Sequence, residues 1–347
     1  MNPFSQASLP IPWTRSASLF VRTTSRIRAI FPLSLSSSTK LYLMDEVECR
    51  EFLHDITKKN AFLRIRREAD FYYRRIKALT GRTVVEVTLP GTPKEIRSQA
   101  TLVADAAEQI LLLTGSFALR RAAFHRLLGI SSYPIDQIGL IRSADRMTLR
   151  SATKPSAIPS QVVVDLALSR RFQKYGFISL FEACIDNTSL ARRLCHAVDW
   201  LIESRCEPRF EAALVKTSIA LESLLIFSER EALSRSLSER VAFLLSNDAA
   251  TRAVVCAAIK RFYDVRSSIV HGGKRRRSTT EEILDGVDKL ITLVLLKIAV
   301  NRELFQTQDA LQVWLDEERW RAPTKLEQSF PSSVVRSALN LTARRII

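Results

Sequence analysis

The stretch Ile259-Lys260-Arg261-Phe262-Tyr263-Asp264-Val265-Arg266-Ser267-Ser268-Ile269-Val270-His271-Gly272-Gly273 decides how the rest of the chain is read. Apolar Ile259, Phe262, Val265 and Ile269 recur three or four apart, which predicts one buried helix stripe. Asp264, Ser267, Ser268 and His271 recur on another face, and Arg266 borders the two. Gly272 and Gly273 end the helix, because glycine takes the left-handed C′ conformation without a Cβ clash. His271 then falls in the last turn, where the carbonyl end of the dipole favours its charged form. A basic run, Lys274-Arg275-Arg276-Arg277, follows at once. An arginine, a histidine and a cationic run so close together suit binding and cleaving a phosphodiester.

Outward from this stretch, residues 162–320 read as helix throughout. Residues 171–185, 189–204 and 209–227 are three candidate helices. In the third, Val215, Ile219, Glu222 and Ile226 form one stripe and Leu214, Ser218, Leu221 and Leu225 the next. A helix apolar over so much of its circumference is expected at the centre of the fold. Glu222 lies within an apolar stripe, where an unpaired carboxylate is costly, so it needs a partner; Arg240 and Arg266 are the candidate arginines. Ser236 or Ser238 opens the helix carrying Arg240, and residues 251–271 form the next one. Thr279-Thr280-Glu281-Glu282 supplies a capping box for a helix marked by Ile283, Val287, Leu290, Ile291, Val294 and Ile298. Residues 309–320 make the last helix, with Trp314 and Trp320 as packing residues, and residues 321–347 read as a loose tail.

Towards the N-terminus the pattern changes. Residues 45–160 read as a mixed α+β domain of no assigned role. Helices are expected over 46–58, 64–79, 93–114 and 117–128, the last two split near Gly115. Strands are expected over 84–89, 137–141 and 147–150. Pro155, Pro159 and the serines between them mark a boundary. Residues 1–43 hold Arg15, Arg22, Arg26, Arg28 and Lys40, many serines and no carboxylate. That composition reads as a disordered extension, an organellar transit peptide or the product of a start upstream of Met44. The fold class expected is therefore an α+β N-terminal domain followed by an all-α helical bundle, predominantly helical.

A chain of 347 residues with a net charge of +16, carried mostly by arginine, favours polyanionic partners, nucleic acid before an acidic membrane surface. Cys49, Cys184, Cys195, Cys206 and Cys256 are odd in number and lack C-x2-C spacing, which fits reduced thiols in the cytoplasm. No apolar run reaches the length of a membrane span. There is no G-x4-G-K-[ST], no G-x-G-x-x-G and no H-E-x-x-H. Nucleotide hydrolysis, hydride transfer and zinc proteolysis thus have no support. With His54, His125, His196 and His271 alone, a multi-histidine metal site is not expected, nor any cofactor.

Arg266-x4-His271, with a small polar residue after the arginine and Gly-Gly after the histidine, resembles the signature of the HEPN superfamily. Ala220-Leu221-Glu222-Ser223-Leu224-Leu225 and Glu239-Arg240-Val241-Ala242-Phe243-Leu244-Leu245 resemble its Apea-like branch. The three segments fall in order over residues 210–275. The resemblance implies a HEPN-like helical bundle and a metal-independent endoribonuclease in which two copies pair their R-x4-6-H helices. Arg266 and His271 would be catalytic, with Glu222, Arg240 and Asp264 supporting and Lys274, Arg275, Arg276 and Arg277 binding RNA. It also implies a homodimer, a defence or toxin role and an unidentified trigger or regulator. HEPN toxins silenced by a partner nucleotidyltransferase continue as H-x-Y; Gly272-Gly273 here argue against control by tyrosine adenylylation. The alternative reading is a non-catalytic RNA-binding or sensing module on the same scaffold.

The chemistry stands beside the resemblance. RNA carries its own nucleophile in the 2′-hydroxyl, and a histidine of near-neutral pKa can take that proton or protonate the leaving 5′-oxygen. An arginine holds the phosphate bidentately and stabilises charge in the transition state. In-line transfer needs an acid and a base on opposite sides of phosphorus. One His271 supplies one of them, and two copies across a twofold axis supply both. Five steps of about 100° place Arg266 and His271 about 140° apart on an ideal helix, so one must flank the groove.

Overall fold

The computed structural model describes residues 17–24, 27–47, 49–51, 77, 79–90, 93–117, 119, 137–142, 147–152, 162–186, 188–228, 232–271, 277–319 and 332–343. Four strands come first: β1 (Ala17–Thr24), β2 (Ile27–Ala29), β3 (Leu33–Ser36) and β4 (Thr39–Leu43). Ile27, Ala29, Leu33, Leu35 and Leu41 point inward while Arg28, Ser34 and Lys40 are exposed, the period-two alternation of a half-buried strand. Then follow β5 (Thr83–Pro90), α1 (Pro93–Phe117), β6 (Gln137–Arg142), β7 (Met147–Ala152) and β8 (Val162–Val164). The main sheet runs β3-β4-β5-β1-β6-β7, with every neighbouring pair antiparallel. β2 and β8 form a separate parallel pair, Ile27 opposite Val162.

Residues 17–43 are therefore part of the fold, which corrects the expectation of a disordered or mis-annotated extension over 1–43; residues 1–16 lie outside the described residues. β1 sits inside the sheet, paired on one side with β5 from Ala17↔Pro90 to Thr24↔Thr83 and on the other with β6. Leu19, Phe20 and Val21 are at most 5% exposed. The arginine that made the segment look solvated finds its counter-charges elsewhere. Buried Arg22 hydrogen-bonds Asp105 at 2.5 Å and reaches Glu108 at 3.4 Å, both on α1. The segment has no acid of its own because its acids lie more than eighty residues on.

The expected strands at 84–89, 137–141 and 147–150 form as β5, β6 and β7. Helix is present at 46–47 and 49–51 and at Lys77, and the rest of the two helices expected over 46–79 lies outside the described residues. α1 runs unbroken through Gly115, against the expected split; residues 120–128 lie outside the description. Gly115 marks a close approach rather than a break, since a Cβ there would sit 2.6 Å from Val162 Cγ1.

Beyond β8 come α2 (Leu166–Lys174), α3 (Phe177–Ile185), α4 (Ser189–Cys206), α5 (Phe210–Leu225), α6 (Leu233–Leu245), α7 (Ala249–Val270), α8 (Arg277–Val300), α9 (Gln308–Glu318) and α10 (Ser332–Ala343). The chain is predominantly helical. The helix expected over 171–185 is two, because Gly176 adopts φ 83° between Tyr175 and Phe177, a conformation open to glycine. The expected loose tail contains α10, whose Val335, Ala338 and Leu339 are buried at helical spacing against α7 and α8. α8 is deeply enclosed, touching α1, α3, α4, α5, α6, α7 and α10. Its Leu290, Ile291, Leu293, Val294, Leu295 and Leu296 are all 0% exposed, as an all-round apolar helix demands.

The expected boundary near residue 160 does not divide the core. α1 packs on α3 and α4, and one continuous apolar cluster runs from Phe20 through Leu111, Phe181 and Leu221 to Leu339. A polar knot lies within the helical layer. Arg205 Nε is 3.1 Å from Asp288 Oδ2 and a second guanidinium nitrogen 3.8 Å from Asp285. Thr217 Oγ1 donates to Asp288 at 2.8 Å and contacts Ser204 Oγ at 2.7 Å. Arg205 is 1% and Asp288 0% exposed, so removing either partner would strand a buried charge. Among the described residues, no helix is long and apolar enough to cross a membrane.

Candidate functional site

α7 begins at a cap: the Asp248 carboxylate accepts from Thr251 N at 2.7 Å, satisfying one of the free amides of the first turn. Val255, Ala258, Ile259, Phe262 and Val265 then bury one stripe against the core, while Ile269 is only partly covered. Ala253, Ala257, Lys260, Asp264, Ser267 and His271 make the exposed stripe. Asp264, Ser267 and His271 thus share a face, as the spacing predicts. His271 is the C-cap residue and donates its backbone N–H to Ser267 O at 3.0 Å. Gly272, Gly273, Lys274, Arg275 and Arg276 lie outside the described residues; Arg277 is the first residue of α8.

Arg266 stands between the exposed and buried faces of α7. Its Nε is buried without a hydrogen-bond partner, and among the described residues it forms no ion pair with Glu222 or Asp264. A buried guanidinium N–H without a partner is costly, and its natural complement is an anionic oxygen. His271 follows five residues later, exposed at the helix end.

Glu222, on α5, does find a partner, but not either expected arginine. Tyr263, one turn before Arg266, donates its hydroxyl to Glu222 Oε1 at 3.0 Å. Burial, and after it the Glu222 charge and this hydrogen bond, hold the Tyr263 phenol well above its ordinary pKa, with nearby Arg266 pulling the other way. Tyr263 therefore remains a donor across the physiological range. The sequence signal for this pair is present in retrospect: Tyr263 is 6% exposed beside the buried face, and a buried phenol needs an acceptor.

Arg240 is placed elsewhere, at the C-terminal end of α5. It donates to Leu225 O at 2.6 Å, lies 3.9 Å from Asp316 and sets its guanidinium 4.7 Å from the Phe227 ring centre. Arg193 of α4, not singled out in the sequence, holds the same helix end. It donates to Ser223 O and Ile226 O, each at 2.8 Å, and to Gln308 at 2.8 Å, with Phe227 5.4 Å away. Cations at the carbonyl end of a helix are favourable, and both arginines read as caps. No sequence pattern distinguishes Arg193 from its exposed neighbour Arg192.

The arrangement brings Glu222, Tyr263 and Arg266 together beneath an exposed stripe that ends in His271, and it sets Arg240 apart at the end of α5. Chemically it offers an anion-seeking guanidinium on a braced helix and an imidazole open to solvent. Among the described residues, no group of three or more His, Cys, Asp and Glu side chains is set to hold a metal ion. Comparison with protein-family models, with curated proteins and with solved structures finds no match to this chain.

Proposed function

We propose that the chain is a metal-independent endoribonuclease of HEPN type. It would cleave RNA by attack of the 2′-hydroxyl on the adjacent phosphorus, with departure of the 5′-oxygen. The observation that carries this reading is Arg266, whose Nε is buried without a partner five residues before an exposed histidine. In this reading the guanidinium receives a phosphate oxygen, and the Tyr263–Glu222 bond fixes the helix segment that presents it. His271 moves the proton at one oxygen, and His271 of a second copy moves the other. The exposed stripe of α7 is the surface on which two copies meet, since Ala253, Ala257 and Ser267 permit close approach. Lys274, Arg275, Arg276 and Arg277 bind the RNA backbone, and the enzyme serves as a defence or toxin effector under an unidentified trigger.

The test is cleavage of a single-stranded RNA panel in excess EDTA, wild type beside His271→Ala. Wild type is expected to leave 2′,3′-cyclic phosphates and 5′-hydroxyls. His271→Ala is expected to lose about 10²–10⁴-fold in rate while unfolding at the same temperature, because His271 is exposed. Products bearing 5′-phosphates, or a strict need for a divalent ion, would overturn the mechanism. RNA bound equally by both proteins and cut by neither would favour the binding module.

A further inference from the structure

Two cysteines that are eleven residues apart in the chain meet across the α3–α4 hairpin. Cys184 lies in the last turn of α3 and Cys195 in the second turn of α4. The Cys195 thiol donates to the Cys184 carbonyl oxygen at 3.2 Å, which sets the two residues side by side. Both are reduced. They are unequal: Cys184 is 8% exposed, whereas Cys195 is half-buried. The hydrogen bond from Cys184 draws the Cys195 thiol below its ordinary pKa, opposed by burial and by the Asp199 carboxylate one turn on. The same bond, then burial, pushes Cys184 up. A half-buried thiol beside a sheltered one is the arrangement of an attacking and a resolving cysteine. Cys256 lacks these features: it donates to Ser238 O at 3.3 Å, and burial raises its thiol.

We propose that Cys184 and Cys195 are an oxidative modification site, at which a hydroperoxide converts the two thiols into a disulfide joining α3 to α4. The Cys195 thiolate attacks the terminal peroxide oxygen and the O–O bond breaks. This forms the Cys195 sulfenic acid and releases water or an alcohol. The Cys184 sulfur then attacks the sulfenic sulfur, the S–O bond breaks, and the oxygen leaves as water with the Cys184 proton. Two electrons pass from the thiol pair to the peroxide, and a dithiol restores the starting state. Because the Cys195 sulfur already lies 3.2 Å from the Cys184 backbone carbonyl, the step asks for side-chain rotation rather than helix displacement. The site is independent of the ribonuclease reading.

The full chain is treated with graded hydrogen peroxide, alkylated, and digested with trypsin under non-reducing conditions. Cleavage after Arg192 and Arg193 separates the two cysteines, so the disulfide appears as a pair of linked peptides. Expected are linked Cys184 and Cys195 peptides, a loss of two alkylatable thiols from the five in the chain, and full reversal by dithiothreitol. In Cys184→Ser, Cys195 is expected to persist as a sulfenic acid that dimedone traps; in Cys195→Ser, Cys184 is expected to stay a thiol at the same peroxide dose. Wild-type protein in which Cys195 advances to sulfinic acid while Cys184 remains alkylatable would overturn the proposal. So would linked peptides that join any other pair.

Discussion

Removal of residues 1–43 is the perturbation that the fold makes most consequential. A chain beginning at Met44 loses β1 to β4, and with β1 the strand that joins β5 to β6. Leu19, Phe20, Val21, Leu33, Leu35 and Leu41 are each at most 5% exposed. Burial of one such side chain is worth about 1.5–3 kcal/mol, so these six contribute about 9–18 kcal/mol of gross stabilisation. The whole net stability of a domain is about 5–15 kcal/mol. Asp105 and Glu108 would also lose Arg22. The truncated chain is expected to fail to fold cooperatively, and Phe20→Ala in the full chain is expected to cost about 3–5 kcal/mol. Circular dichroism through a thermal ramp and urea titration measure both. A chain starting at Met44 that melts cooperatively at the temperature of the full chain would refute the placement of β1 at the heart of the sheet.

Three further outcomes are expected. Tyr263→Phe, which deletes the hydroxyl held by Glu222, should cost about 1.5–3 kcal/mol in urea unfolding, and most of that cost should vanish in a Glu222→Leu background, which offers no acceptor; additive losses would show that the two side chains do not interact. Asp199 is exposed as a residue, yet its carboxyl is raised from 3.8 to about 6, by desolvation first and by Asp105 next. A carboxyl raised on folding binds its proton more tightly in the folded state, so its destabilising effect is absent below pH 4, grows as pH rises, and is complete above pH 6. Asp199→Asn should therefore be more stable than wild type at pH 7.5 and equal to it at pH 3.5, and a gap of the same size at both pH values would contradict this. Sedimentation should find a homodimer at micromolar concentration that Ala257→Arg, on the exposed stripe of α7, converts to an active-site-deficient monomer; an active monomer would exclude the composite site.

Local periodicity carried much of the helical architecture. The stripe of Ile259, Phe262 and Val265 and the apolar run along α8 are statements about neighbours one turn apart, and both were legible without coordinates. So were β5, where a β-branched run precedes a turn, and the short strands β6 and β7. Long-range complementarity was not legible. Arg22 reads as a solvated charge until Asp105 and Glu108 are brought to it, and β1 therefore reads as disorder. Gly115 reads as a helix break until Val162 is seen packed on it. Glu222 announces its need for a partner, yet only the packing of α7 on α5 selects Tyr263, and in doing so leaves Arg266 unpaired. A sequence states which groups must be satisfied, because burial and polarity are written into residue type and spacing. Which partner satisfies them is decided by chain segments tens of residues apart that only the tertiary structure brings into contact.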